Sequence, residues 1–201
     1  MRVERAVNYM TTLGPGNRLC VWVNGCSRGC KGCVSSRLQK IDEGTEVDIH
    51  EYFFGYNLSN IDGVTISGGE PFDQISELCR LVDYFRKRGV DDILVYTGYT
   101  YKELIEMKNP EVNTVLSQIA VLIDGPYIEE LDDGLCNIKG SSNQNIYYLD
   151  PKVKEKYERY INPVRNVKEM TLGNVMLSVG IPDKAYIENF NKAKESETQY
   201  G

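Results

Sequence analysis

Gly63-Val64-Thr65-Ile66-Ser67-Gly68-Gly69-Glu70-Pro71, residues 63–71, is a short β-rich run closed by a double glycine. Behind it, residues 75–88 carry apolar side chains at helical spacing and stop at Gly89, so the unit reads strand, loop, helix. The unit recurs downstream. Residues 92–97 are strand-like, 101–108 and 112–118 helical, and 119–123 strand-like again before Asp124-Gly125-Pro126. Strands that alternate with helices lie in a mostly parallel sheet, which makes the fold class α/β.

Upstream, the turn signal Gly14-Pro15-Gly16-Asn17 feeds a β-rich run at 19–23 that ends at Asn24-Gly25 and a cluster of cysteines. That pattern is another strand followed by a loop. Past Gly140 the rhythm changes: a short strand is expected at 145–149 and a charged amphipathic segment at 151–160. Residues 167–172 and 175–179 flank Gly173-Asn174, a two-residue connection of the kind that closes a β-hairpin, and the second arm ends in Gly180-Ile181-Pro182. Residues 192–201 offer few apolar side chains for docking. We therefore expect one domain over 1–183, with a core at 14–149 and an extension at 150–183, and a short helical or disordered tail over 184–201.

A chain of 201 residues has the length of one domain. No apolar run approaches the roughly 20 residues that span a bilayer. Met1 to Ala6 mixes charges without the apolar stretch of a signal peptide, so the sequence predicts a cytoplasmic protein with no membrane partner. In that compartment thiols stay reduced, and six cysteines with three packed into residues 26–33 read as metal ligands before they read as disulfides. A net charge of −6 argues against a nucleic-acid surface, which needs a basic stripe. Partners are expected to be protein or small molecule. The fourteen tyrosines are scattered and read as half-buried packing residues.

Cys26-Ser27-Arg28-Gly29-Cys30-Lys31-Gly32-Cys33 supplies three thiolates at C-x3-C-x2-C spacing from one short loop. Thiolates are the usual ligands of a cubane [4Fe–4S] cluster, and three of them leave one iron open for a substrate to chelate. Glycines 25, 29 and 32 let the backbone pass close to such a group. The alternative is a structural zinc site, which takes four ligands at paired spacing; the only histidine, His50, lies in a separate helix-like stretch. Cys20 on a strand and Cys79 in a helical run read as core. Cys136, in a Gly-rich polar stretch, fits a solvent-facing thiol and receives no role. Gly68-Gly69-Glu70 stands at the carboxyl end of a parallel strand, where ligands bind, and suits a free amino group; the same run also reads as a plain turn before a helix.

With the cysteine loop and the GGEP run present in order, the chain resembles the radical S-adenosylmethionine (SAM) superfamily. Within it, Gly14-Pro15-Gly16-Asn17-Arg18, Asn24-Gly25-Cys26, Tyr96-Thr97-Gly98-Tyr99, Asp124-Gly125-Pro126-Tyr127 and Gly140-Ser141-Ser142-Asn143-Gln144 resemble the activating proteins of anaerobic ribonucleotide reductase. The last two runs have no packing purpose evident in the sequence. The chain departs from that pattern in Cys33-Val34-Ser35-Ser36, where an aromatic residue and asparagine are usual, and in the residues beyond Leu149.

The resemblance implies an incomplete (β/α) barrel with mostly parallel strands, since roughly five or six strands are too few to close the eight-stranded form. A C-terminal β-hairpin extension adds to it. It also implies a [4Fe–4S] cluster on Cys26, Cys30 and Cys33, and SAM held through its amine by Glu70 and the Gly68-Gly69 backbone. Thr97, Gly98 and Asp124 fall to the ribose and the methionine carboxylate, and Asn143 joins the cofactor contacts. Gly180-Ile181-Pro182 either closes the adenine side of the pocket or merely ends an edge hairpin. The implied reaction is reductive cleavage of SAM to a 5′-deoxyadenosyl radical, which installs a glycyl radical on the reductase, with electrons from a low-potential donor such as flavodoxin or ferredoxin. Two other functions fit the same residues: a radical SAM enzyme acting on a peptide or metabolite, and a non-enzymatic iron–sulfur or zinc module.

Overall fold

The computed structural model describes residues 1–41, 44–173 and 175–198. In chain order its elements are β1 (Arg2–Met10), β2 (Arg18–Val23), β3 (Thr45–Glu46), α1 (Ile49–Phe53), β4 (Gly63–Gly68), α2 (Ile75–Arg86), β5 (Ile93–Tyr96), α3 (Tyr101–Glu106), α4 (Pro110–Gln118), β6 (Val121–Asp124), β7 (Asn145–Tyr148), α5 (Lys154–Tyr160), β8 (Val167–Leu172), β9 (Val175–Gly180) and α6 (Lys184–Thr198). Seven strands form one sheet in the order β3-β1-β2-β4-β5-β6-β7, and β8 and β9 form a separate hairpin. The Asn174 side of the expected hairpin turn and residues 199–201 lie outside the described residues.

The centre of the sheet is parallel, β2 with β4, β4 with β5 and β5 with β6, so the α/β expectation holds. Its flanks are antiparallel: β1 pairs with β2 and β3, and β7 with β6. With β3 and β7 as its two edges, the sheet does not close into a barrel. No helix among the described residues is long and apolar enough to cross a membrane.

The central strands read as continuous apolar runs because both faces are covered. Leu19, Val21, Val64, Ile66, Ile93, Val95 and Leu122 face a core shared with Leu78, Leu81 and Phe85 of α2 and with Val112 and Val115 of α4. The alternate residues face the other way: Leu94, Val121 and Ile123 pack with Tyr157 of α5, and Cys20 and Trp22 with Val179 of β9. Cys136 belongs to the second of these cores at 8% exposure, so it is a packing residue and not a solvent-facing thiol. Leu135 beside it stays exposed while Cys136, Asn137 and Ile138 turn inward.

At the amino ends of the parallel strands, Arg18 is completely buried. Its Nε donates to Thr65 Oγ1 (2.7 Å) and its Nη2 to Val64 O (2.7 Å) and Asp92 Oδ1 (3.1 Å). Asp92 also accepts from Tyr157 OH (2.7 Å) and Lys156 Nζ (2.8 Å), which fastens α5 to the sheet. Burial alone would raise the Asp92 carboxyl, but the Arg18 guanidinium and these donors hold it below its usual range. The Gly-Pro-Gly-Asn-Arg run therefore has a packing purpose, since a Cβ at Gly14 would lie 2.9 Å from Arg18 Cδ. The carboxyl ends of the same strands are left to build the site.

Candidate functional site

β2 ends at Val23 and the chain enters the cysteine loop, whose two ends are pinned by Gly25 N to Leu38 O (2.9 Å) and Cys26 N to Gln39 O (3.2 Å). Within it, Cys33 N donates to Cys30 O (3.4 Å), Ser36 N to Cys33 O (3.1 Å) and Gln39 Nε2 to Cys30 O (3.2 Å). Gly29 and Gly32 hold φ values of +59° and +73°, the left-handed region that lets a loop this short fold around a centre. All three cysteines are free and half-buried. Burial pushes the Cys26 thiol up, while the backbone N–H groups of Gly29 and Arg28 aimed at its sulfur pull the other way; Ser35 N–H does the same for Cys33.

β4 delivers Gly68, Gly69 and Glu70 against that loop. Gly69 N donates to Val23 O (2.7 Å) and Glu70 N to Gly25 O (2.8 Å). A Cβ at Gly69 would collide with the Gly25 carbonyl oxygen, and one at Gly68 with the Val23 backbone. The double glycine is thus a backbone-to-backbone contact between two strand ends as well as a turn. Glu70 is 1% exposed. Its Oε1 accepts from Thr97 Oγ1 (2.9 Å) and Phe72 N (3.0 Å), and its Oε2 from Gly98 N (2.6 Å). Burial outweighs those donors and pushes the carboxyl up to about 7. The side chain is committed to holding Thr97 and Gly98 at the end of β5.

Past β6, Asp124 is buried and spent on structure: Oδ2 accepts Tyr101 N (2.6 Å) at the start of α3, and Oδ1 accepts Asn145 N (3.1 Å) and Nδ2 (3.0 Å). Asn143 Nδ2 donates to Pro126 O (2.8 Å), and Gln144 Nε2 to Gly125 O (2.9 Å) while its Oε1 accepts Gly140 N (2.8 Å). These bonds stitch the Asp-Gly-Pro-Tyr and Gly-Ser-Ser-Asn-Gln runs together, so both have the packing purpose that the sequence alone does not reveal. Asn143 Oδ1 is buried and has no hydrogen-bond partner among the described residues.

One cavity of about 180 Å³ gathers most of these groups at the carboxyl ends of β2, β4 and β5. Cys26, Cys30 and Cys33, residues 68–70, Thr97 and Gly98, and Gly180, Ile181 and Pro182 all line it, above a floor that includes Trp22 and Tyr96. Asp124 and Asn143 do not line it. Gly180 reaches it with φ +144°, in a position where a Cβ would strike the Asn166 carbonyl oxygen. His50 is remote, edge-on to Tyr84 with ring centroids 5.2 Å apart.

Sequence reasoning did not find Asp73, which clamps the cysteine loop: its carboxylate accepts Ser27 N (2.7 Å), Ser27 Oγ (2.9 Å) and Tyr99 OH (2.8 Å). Arg28 lies over the Tyr99 ring at 4.7 Å. The only hint was that Asp73 sits just behind the GGEP run and that Tyr99 closes the Tyr96-Thr97-Gly98-Tyr99 run.

The donor set fits an iron–sulfur group: three free thiols on one loop, with backbone N–H groups directed at two of the sulfurs. Among the described residues no three His, Cys, Asp or Glu side chains are gathered tightly enough to hold a single metal ion.

Residues 12–147 match the model of the family described as 4Fe-4S single cluster domain. Among similar proteins, the anaerobic ribonucleoside-triphosphate reductase-activating protein of Escherichia coli strain K12 is 31% identical over 144 residues, 68% of this chain and 91% of the relative. The protein of that name from Haemophilus influenzae is 32% identical over 142 residues, 67% of this chain and 89% of its own. That of Enterobacteria phage T4 is 29% identical over 140 residues, 67% and 85% respectively.

Proposed function

This chain belongs to the 4Fe-4S single cluster domain family, and on that premise we propose that it is a radical SAM activase whose target is an anaerobic ribonucleotide reductase. In this reading Cys26, Cys30 and Cys33 hold the cluster and leave one iron for the amino and carboxylate groups of SAM. When bound, the cluster supplies an electron for reductive cleavage of SAM, which provides the 5′-deoxyadenosyl radical that takes a hydrogen atom from a glycine of the reductase. The protein supplies orientation and a shielded cavity. The backbone of Gly68 and Gly69 faces the methionine amine. Glu70 acts through Thr97 and Gly98, which it fixes beside the ribose, and Gly180-Ile181-Pro182 covers the adenine. Asp124 and Asn143 stand outside the cavity and hold the segment after β6, whose Gly125 and Tyr127 line it. No side-chain acid or base is needed.

The observation that carries the reading is the meeting of the cysteine loop, residues 68–70, Thr97-Gly98 and Gly180-Ile181-Pro182 on one cavity at the carboxyl ends of parallel strands, where ligands of such sheets bind. We take the open sheet as the incomplete barrel of the radical SAM type, whose missing strands leave a mouth for a peptide loop. Residues 1–183 then act as one domain, served by a low-potential electron donor such as flavodoxin or ferredoxin.

The test is anaerobic reconstitution with iron and sulfide, followed by assay of 5′-deoxyadenosine release and of a glycyl radical on the reductase by electron paramagnetic resonance. Cleavage of SAM with radical formation on the reductase is the expected result. A cluster-loaded protein that releases no 5′-deoxyadenosine would rule out the SAM chemistry. Release without a glycyl radical on the reductase would move the target to a peptide or a metabolite.

A further inference from the structure

Arg165 stands in the connection between α5 and β8, beyond the last residue of the family match, and is nonetheless buried at 9% exposure. Its five donors are spent inside the protein. Nε donates to Cys136 O (3.0 Å), Nη1 to Pro182 O (3.2 Å), and Nη2 to Lys139 O (2.9 Å) and Gly140 O (3.1 Å). Nη1 also pairs with Asp132 Oδ1 at 2.8 Å, with both side chains almost fully covered. Asp132, Gly140 and Pro182 line the cavity. Asp132 in turn accepts from Tyr127 OH (3.2 Å), another lining residue.

One guanidinium therefore joins two opposed parts of the cavity wall: the segment after β6 and the end of the hairpin. The planar fork suits this, because it presents fixed donors in several directions at once, which a lysine ammonium cannot do. Removing it leaves the Asp132 charge buried without its partner and several carbonyls without donors, the costly way to break such a pair. The hairpin does not depend on Arg165 alone, since Thr12 Oγ1 donates to Val179 O (2.9 Å) and Lys168 Nζ to Tyr9 O (2.9 Å). Nor does the cysteine loop, whose anchors are Leu38, Gln39 and Asp73.

We propose that Arg165 is a positioning residue of the cavity, which sets the gap between Gly180-Ile181-Pro182 and the wall around Asp132 and Gly140 and so makes the C-terminal extension part of the ligand site. This rests on the reading that the cavity takes SAM. It predicts that the two halves of the site separate on mutation: the cluster survives and the ligand does not.

The experiment compares full-length, reconstituted wild type with Arg165→Met and Arg165→Lys. It measures iron and sulfide content, SAM affinity by equilibrium dialysis without reductant, and amide hydrogen exchange over residues 136–144 and 180–182. Arg165→Met is expected to keep wild-type iron, to bind SAM at least about tenfold more weakly, equivalent to about 1.4 kcal/mol, and to exchange faster over both segments. Arg165→Lys is expected to recover affinity only in part, since one point charge meets Asp132 but cannot span the carbonyls. If Arg165→Met fails to fold, Arg165→Lys decides on the same measurements. Wild-type affinity and exchange in the variants overturn the proposal, as does loss of iron in step with affinity. A cluster-loaded wild type that binds no SAM overturns the reading of the cavity instead, and the exchange data then decide whether Arg165 holds the wall.

Discussion

Glu70→Gln tests whether burial or hydrogen bonding governs the carboxyl at the centre of the site. The buried carboxylate has three internal donors, Thr97 Oγ1, Phe72 N and Gly98 N, each of which favours the charge. Burial works against it and prevails, raising the carboxyl from 4.5 to about 7. An acid held higher in the folded than in the unfolded chain is bound better in its protonated form. Its contribution to stability is therefore fully present below pH 4.5 and is lost as pH rises toward about 7. At about 1.4 kcal/mol per pH unit, that loss comes to about 3 kcal/mol. Urea unfolding of the cluster-free protein from pH 4.5 to 8 measures it. The other carboxylates are common to both proteins and cancel, so the stability of wild type relative to Glu70→Gln should fall by that order across the range and level off above pH 7. A difference independent of pH would refute the reasoning, for it would mean that the three donors offset burial entirely.

Single Cys26→Ala, Cys30→Ala and Cys33→Ala variants should each lose most of their reconstituted iron and sulfide, whereas Cys79→Ala and Cys136→Ala should retain it; iron analysis after gel filtration checks both. Gly69→Ala forces a methyl group onto the Gly25 carbonyl oxygen and should cost about 1–3 kcal/mol in thermal unfolding, with a matching fall in iron content because the cysteine loop is pushed off β4. Trp22 is the only tryptophan and lines the cavity floor, so SAM should change its fluorescence in wild type and leave the emission of a Trp22→Phe variant flat.

The parallel centre of the fold was legible because strands covered on both faces become uninterrupted apolar runs, and because Gly68-Gly69 and Gly89 mark where they and their helices stop. β1 was not. Its charged residues and the register shifts between Val3 and Arg5 and between Val7 and Met10 break the two-residue period. The strand at 145–148 could be read, but its direction could not, since apolar patterning carries no sign. At the site, three cysteines on one loop declare themselves by spacing alone. Asp124 and Asn143 resemble ligand contacts in sequence, yet their partners Tyr101, Asn145 and Pro126 are fixed by tertiary structure. Arg165 had no signal at all: the acceptors that give it meaning lie 17 to 33 positions away in the chain.

The Arg18 network also bears on the order in which the chain can assemble. Its bonds join residues 47, 74 and 65 positions apart in sequence, Arg18 with Thr65, Arg18 with Asp92, and Asp92 with Tyr157. Closing loops of that length is slow, because the chain entropy is lost before the contacts form. During synthesis β2, β4 and β5 emerge long before α5, so the guanidinium that ends fully enclosed first meets its carboxylate while one side is still open to water. The amino-terminal half thus waits for residues 154–160 to seal it, and native rigidity comes only after the ribosome has passed the segment that matches the family. A chain released early would carry every cysteine of the loop and still lack the plug that dries the base of its sheet.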